Sequence, residues 1–222
     1  MGWFLRFLTS SVGQKFIQGF TGFFLISFLL VHLAGNLQLL NPNVEVAKES
    51  FNKYSEFMST SMIIRILEIG LVLGFFFHIL VGTVLYFRNR ATRPIAYGDR
   101  RPSKNSSWSS RAMMLTGSLI FVFVVIHLIN FFVKARFQGE TDMYTLVKAA
   151  FTDPLLSSFY IFAMIILGFH LNHGFQSAFQ TFGLLGKKYE KFIKGFGTTF
   201  AIVISLAFAI IPVFFLIGLG GK

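Results

Sequence analysis

Five histidines, in a chain without cysteine, are the residues here best suited to chemistry: His32, His78, His127, His170 and His173. Each lies in an apolar run, in VHLAGN, FHILVG, IHLINF and FHLNHG, the last of which holds two. A neutral imidazole offers one lone pair to a metal, or takes and gives a proton near neutral pH. Such groups are costly in hydrocarbon, and those kept there usually face a bundle interior and serve ions, protons or cofactors. A single buried histidine is more often a hydrogen-bonded packing residue. Four separate runs that each contribute one call for another account. The lack of cysteine excludes disulfides, thiolate-held clusters and covalent c-type haem attachment.

The elements that must position these side chains are membrane helices. Hydrophobic residues make up 54% of the 222 positions and charged ones only 13%, too apolar a balance for a soluble domain. Five stretches supply the roughly 20 apolar residues that a helical crossing needs: 16–40, 62–87, 112–133, 155–179 and 196–217. The alternation of a barrel is missing, and Pro212 is tolerable inside a membrane helix. The expectation is an all-α membrane protein, a five-transmembrane-helix bundle forming one membrane domain over residues 1–222. MGWFLRFLTSSVGQK lacks the pattern of a removable signal peptide.

The net charge of +11 is distributed by side. Arg6 and Lys15 precede the first span. The second connection carries Arg88, Arg90, Arg93, Arg100, Arg101, Lys104 and Arg111 against Asp99, and the fourth carries Lys187, Lys188, Lys191 and Lys194 against Glu190. The first and third connections are balanced or acidic. The positive-inside rule therefore predicts a cytoplasmic N-terminus and a C-terminus outside. In so apolar a chain the basic excess speaks for topology and membrane lipid as the partner, not nucleic acid. Segments 41–58 and 141–153 read equally well as short amphipathic helices or as solvated loops.

Depth sorts the histidines. At 1.5 Å per residue, His32 lies about 25 Å past Lys15 and His127 about 24 Å past Arg111, both in the outer half. His78 lies about 15 Å before Arg88, and His170 or His173 sits on the other inward-running span. The result is an outer pair, His32 and His127, and an inner pair, His78 with His170 or His173. Two imidazoles from facing helices at one depth suit the axial positions of a b-type haem, so two layers predict two haems between the first four helices. Tetrahedral zinc would want more ligands at one depth, and a proton relay would not predict pairs. Gly35, Gly74, Gly82, Gly168 and Gly174, near the histidines in sequence, fit a flat macrocycle against a helix or simply close helix packing.

The runs SSVGQKFIQGFTGFFLISFLLVHLAGNLQLL, FNKYSEF, RILEIGLVLGFFFHILVG and FHLNHGFQSAFQTFG resemble the cytochrome b558 subunit of bacterial succinate dehydrogenase/fumarate reductase, over nearly the whole chain. The resemblance implies the membrane anchor of a complex with a flavoprotein and an iron–sulfur subunit, in the bacterial cytoplasmic membrane, serving the respiratory chain and the tricarboxylic acid cycle. It implies two haem b groups with bis-histidine ligation and electron transfer between the iron–sulfur subunit and a quinone, commonly menaquinone. The succinate chemistry would lie on the partners, so the chain is an enzyme subunit through its quinone. The family pairs the first- and third-span histidines, His32 and His127, and those of spans two and four. Its fourth-span ligand stands four residues before a glycine, which selects His170. His173 is left near a propionate or quinone, or as the alternative ligand.

Weaker candidates remain. Glu68, with Arg65 three before it, could relay quinone protons or form an intrahelical ion pair. Some relatives carry a glutamate where this chain has Gly168, so that proton route is in doubt. Ser10, Ser11, Gln14, Lys15, Asn36, Gln38, Asn130 and Arg111 are polar enough to border a quinone or propionate, or to serve as helix ends and topology charges. Two other readings are an anchor for a different membrane dehydrogenase and a histidine-containing proton or solute transporter.

Overall fold

The computed structural model describes residues 2–91 and 108–221; Arg93, Asp99, Arg100, Arg101, Lys104 and the side chain of Arg111, counted in the charge argument, lie outside them. Among the described residues every regular element is helical. Five helices are long and apolar enough to cross a membrane: Ser11–Leu40, Met62–Ala91, Ala112–Phe137, Pro154–Thr181 and Glu190–Leu216. They are called spans 1 to 5.

Most spans outrun the apolar stretches that announce them, because helix ends are set by polar groups that hydropathy does not see. Span 1 starts at Ser11 because the Ser10 hydroxyl accepts from the Gly13 amide at 3.0 Å. Span 2 continues through Arg88 and Arg90, cations suited to the negative end of a helix dipole. Asp153 caps span 4 by accepting from the amides of Leu155 and Leu156, with Pro154 in the first turn. That span stops before Gly183, whose φ of 71° is left-handed.

Span 4 is the hub. It packs along span 5, span 3 and span 1, while span 2 lies mainly against span 1 and only thinly against span 3. Spans 1 to 4 thus form a square in which 1 and 3, and 2 and 4, stand on the diagonals. Side chains that meet across a diagonal meet on the bundle axis. Large apolar residues elsewhere point outward, including Ile63, Ile66, Val72 and Phe76 of span 2, as expected where lipid replaces water.

The two ends differ. At the end holding the N-terminus, the basic end, a short helix Trp3–Thr9 precedes span 1. Arg88 ties it down, donating to the Thr9 carbonyl at 3.0 Å and to Gln14 Oε1 at 2.8 Å. At the far end, segments 41–58 and 141–153 adopt the helical alternative, as Val44–Thr60 and Met143–Thr152. These two helices pack together as a lid. Asn52 donates to Asp142 Oδ1 and accepts from the Tyr144 amide, both at 2.9 Å, and Lys48 pairs with Asp142 at 2.7 Å. The Tyr144 hydroxyl donates to the Gly220 carbonyl at 3.1 Å, clipping the lid to the end of span 5. Beneath it lies a core of Leu39, Phe51, Phe131, Phe151, Tyr160 and Phe215.

Candidate functional site

The four spans bring the histidines together in twos, on the axis. The His32 and His127 rings, from spans 1 and 3, are 5.7 Å apart between centres, with planes at 88°. The His78 and His170 rings, from spans 2 and 4, are 6.3 Å apart at 68°. Both pairs cross diagonals, and all four rings are half-buried. Among the described residues, no three His, Asp or Glu side chains gather into a metal-binding group. The ring that meets His78 belongs to His170; His173 is half-buried, about 60° around the same helix.

The far-end pair sits among aromatics. Phe28 stacks on His32 at 5.3 Å, and Phe123, Phe131 and Tyr160 surround His127. Its polar contacts are long: Asn36 Nδ2 is 3.5 Å from each His32 ring nitrogen, and the Tyr160 hydroxyl is 3.5 Å from His127 Nδ1. Asn36 makes its short bond to the His32 carbonyl, at 2.7 Å, and Asn130 donates to the Tyr160 hydroxyl at 3.4 Å. Directly after His127, span 3 widens into a π turn, Leu128–Phe132. Such turns re-aim side chains and recur at functional sites.

The basic-end pair is held differently. Thr21 Oγ1 lies 3.1 Å from His78 Nδ1, and Gln18 Nε2 lies 3.2 Å from His78 Nε2. Thr116 Oγ1 lies 3.3 Å from His170 Nδ1. Each threonine is followed by a glycine that runs bare backbone past the same ring. A Cβ on Gly22 would stand 3.4 Å from His78 Cε1, and one on Gly117 would stand 3.5 Å from His170 Cε1. Sequence reasoning passed over Thr21, Thr116, Gln18 and Tyr160. A signal was there: Thr-Gly occurs in FTGFF and LTGSL, and in each span the threonine stands eleven residues before the far-end histidine. Eleven residues are about three turns, so the threonine and the histidine share one helix face.

Several expectations change. Glu68 does not pair with Arg65, which is exposed; its partner is Arg136 at the end of span 3, at 3.2 Å, and Arg136 also donates to the Ser59 carbonyl at 3.0 Å. Reach explains this: Arg136 joins two spans and the lid from a side chain only 14% exposed. Four of the five glycines near the histidines in sequence are packing positions. A Cβ on Gly35 would overlap the Tyr54 ring, one on Gly74 would fall 2.9 Å from Phe24, on Gly82 3.1 Å from Gln18 and on Gly168 3.0 Å from Ser205 Oγ, while Gly174 faces nothing within 4 Å. Ser10 and Gln14 serve as cap and anchor of span 1.

Fold and site together define a helical membrane protein with paired histidines across its bundle diagonals. Residues 90–214 match the family described as the succinate dehydrogenase/fumarate reductase transmembrane subunit, and with more than half of its length matched the chain belongs to that family. It is therefore a membrane subunit of that kind. The matched region holds His127, His170 and His173 but not His32 and His78, so each pair has one member inside it. Searches of curated proteins and of solved structures returned no match.

Proposed function

We propose that this chain is the di-haem b anchor of a succinate:quinone oxidoreductase, with His32 and His127 as axial ligands of one haem and His78 and His170 as those of the other. One observation carries the reading: the spacing of the paired rings. Two imidazoles on opposite sides of one metal, each bond about 2 Å long and each nitrogen about 1.1 Å from its ring centre, hold their centres about 6 Å apart. The two pairs measure 5.7 and 6.3 Å. Half-burial of all four rings, with Gly22 and Gly117 beside two of them, fits a broad flat group lying between helices.

A haem iron so held would supply one-electron storage. The chain's own residues set where that storage lies. Thr21 touches His78 and lies on the same span as His32, and Thr116 touches His170 and lies on the same span as His127. Both spacings put the layers about 16 Å apart along the bundle. The basic end would face the cytoplasm and the iron–sulfur and flavoprotein subunits. Glu68, bonded to Arg136 at the far end, would pass protons to a quinone, with menaquinone the first to try, and Arg65 on the same span is the second candidate for that role.

The test is a dithionite-reduced minus oxidised spectrum of the purified chain, with a pyridine haemochrome assay per polypeptide. About two haems b per chain are expected. A folded preparation that takes up no haem b would overturn the reading and return the histidines to proton or solute transport.

A further inference from the structure

The Thr-Gly step repeated in spans 1 and 3 has a consequence for the histidines of the two other spans. A threonine hydroxyl has one proton. That of Thr21 faces two carbonyls of its own helix, Ile17 at 2.8 Å and Gln18 at 3.2 Å, and that of Thr116 faces the Met113 carbonyl at 3.2 Å. With its proton spent on the main chain, the oxygen meets the imidazole as an acceptor. Nδ1 of His78 and of His170 must then carry the ring proton, and the lone pair falls on Nε2. The Gln18 amide agrees, since its N–H lies 3.2 Å from His78 Nε2. Gln18 Oε1 is itself buried without a hydrogen-bond partner, so a metal that takes the Nε2 lone pair must displace the Gln18 N–H contact and make the amide turn. The adjacent glycines place no Cβ beside either ring.

We infer that Thr21 and Thr116 are a matched pair of positioning residues that fix the Nδ1–H tautomer of His78 and His170 and aim both Nε2 atoms at one metal. The inference rests on the haem reading above. Donation of Nδ1–H to an oxygen also makes the other nitrogen a stronger ligand, which favours the oxidised metal. Among the described residues the far-end pair shows no such close contact: Asn36 Nδ2 stands 3.5 Å from both His32 ring nitrogens and the Tyr160 hydroxyl 3.5 Å from His127 Nδ1.

The experiment compares Thr21→Val, Thr116→Val and the Thr→Ser variant at each position in the haem-loaded chain, by redox titration and low-spin electron paramagnetic resonance. Both valine variants should move the same one of the two haem transitions upward and lower retention of that haem about tenfold, the low end for losing a partner of a metal ligand. The other transition should stay in place, and serine should restore the first. A pair of unmoved transitions, or equal movement of both, would overturn the inference while leaving two haems on the chain. Absence of haem b from the unmodified chain would defeat the haem reading instead. Should a valine variant not accumulate, ring 15N shifts of the unmodified chain in lipid without haem decide: protonated Nδ1 on His78 and His170 supports the assignment, and protonated Nε2 ends it.

Discussion

The two histidine pairs are built from the same residue type on the same square of helices, yet they are held by different forces. At the basic end each imidazole is anchored by a hydroxyl from a neighbouring span, 3.1 and 3.3 Å away, and passes bare glycine backbone. At the far end the rings are held by contact, among Phe28, Phe123, Phe131 and Tyr160, beneath a lid that covers that end of the bundle. A hydrogen bond fixes a tautomer and a direction. Packing fixes a position but leaves the ring free to choose which nitrogen it protonates. One pair is therefore set by chemistry that a single atom can remove, and the other by a volume that many residues share.

The largest effect should separate the pairs outright. His78→Ala or His170→Ala should each remove one haem, and His32→Ala or His127→Ala the other, as read by haemochrome content falling from about two to about one per chain. His173→Ala should keep both. Loss of haem on His173→Ala, with His170→Ala intact, would reassign the basic-end ligand.

Next comes the half-buried ion pair of Glu68 and Arg136 at the far end. Glu68→Gln keeps the shape but removes the carboxylate that Arg136 holds at 3.2 Å. If Glu68 relays quinone protons, quinone reduction by the assembled complex should fall on the order of 100-fold, the lower range for loss of a general acid–base group. Haem content and dye-coupled succinate oxidation should be unchanged. Unaltered quinone turnover would leave Glu68 as a brace between spans 2 and 3.

A smaller effect tests the packing half of the contrast. Gly35 lets span 1 pass the Tyr54 ring of the lid so closely that any Cβ would overlap it. Gly35→Ala should cost about 1–3 kcal/mol, the range for overpacking a filled site. The loss should appear in thermal melts and, in the proposed di-haem chain, at the haem assigned to His32, three residues away, before the one assigned to His78 responds.

Much of this contrast was legible in the residues. Apolar length announces five crossings, and distance from the flanking cations sorts the histidines into an outer pair, His32 and His127, and an inner pair of His78 with His170 or His173, because helix rise is nearly constant; depth does not choose between the last two, and the ring that meets His78 is that of His170. The lid helices were only half legible, since amphipathic helix and solvated loop share a composition. The Thr-Gly steps were overlooked because threonine is ordinary in membrane helices, and only the diagonal placement of the spans shows what it faces. Helical spacing offers Glu68 a partner in Arg65, one of two readings open in the sequence, but its partner Arg136 comes from another span, a choice that spacing alone cannot make.

The smallest effect concerns acid, and should touch the lid while sparing the basic-end pair. Burial, the largest single influence on Asp142, pushes its carboxyl up. The hydrogen bonds from Lys48, Asn52 and the Thr145 hydroxyl and amide together outweigh burial, and hold it below the ordinary carboxylate range. A carboxyl depressed in the folded state contributes stability that is complete above its unfolded value, about 3.9, and fades as pH falls from there toward the folded value. The lid should therefore stay closed from pH 7 to pH 5 and loosen only below about pH 4. Hydrogen exchange at the Tyr144 and Thr145 amides, which bond to Asn52 and Asp142, reads this directly. Asp142→Asn should leave the Thr145 amide with an oxygen acceptor but lose the Lys48 pair. Its exchange should then be faster at pH 7 and no longer accelerate through the acid range. Opening of the unmodified lid already at pH 6 would point to a group other than Asp142 and remove the carboxylate from the account of how the far end is closed.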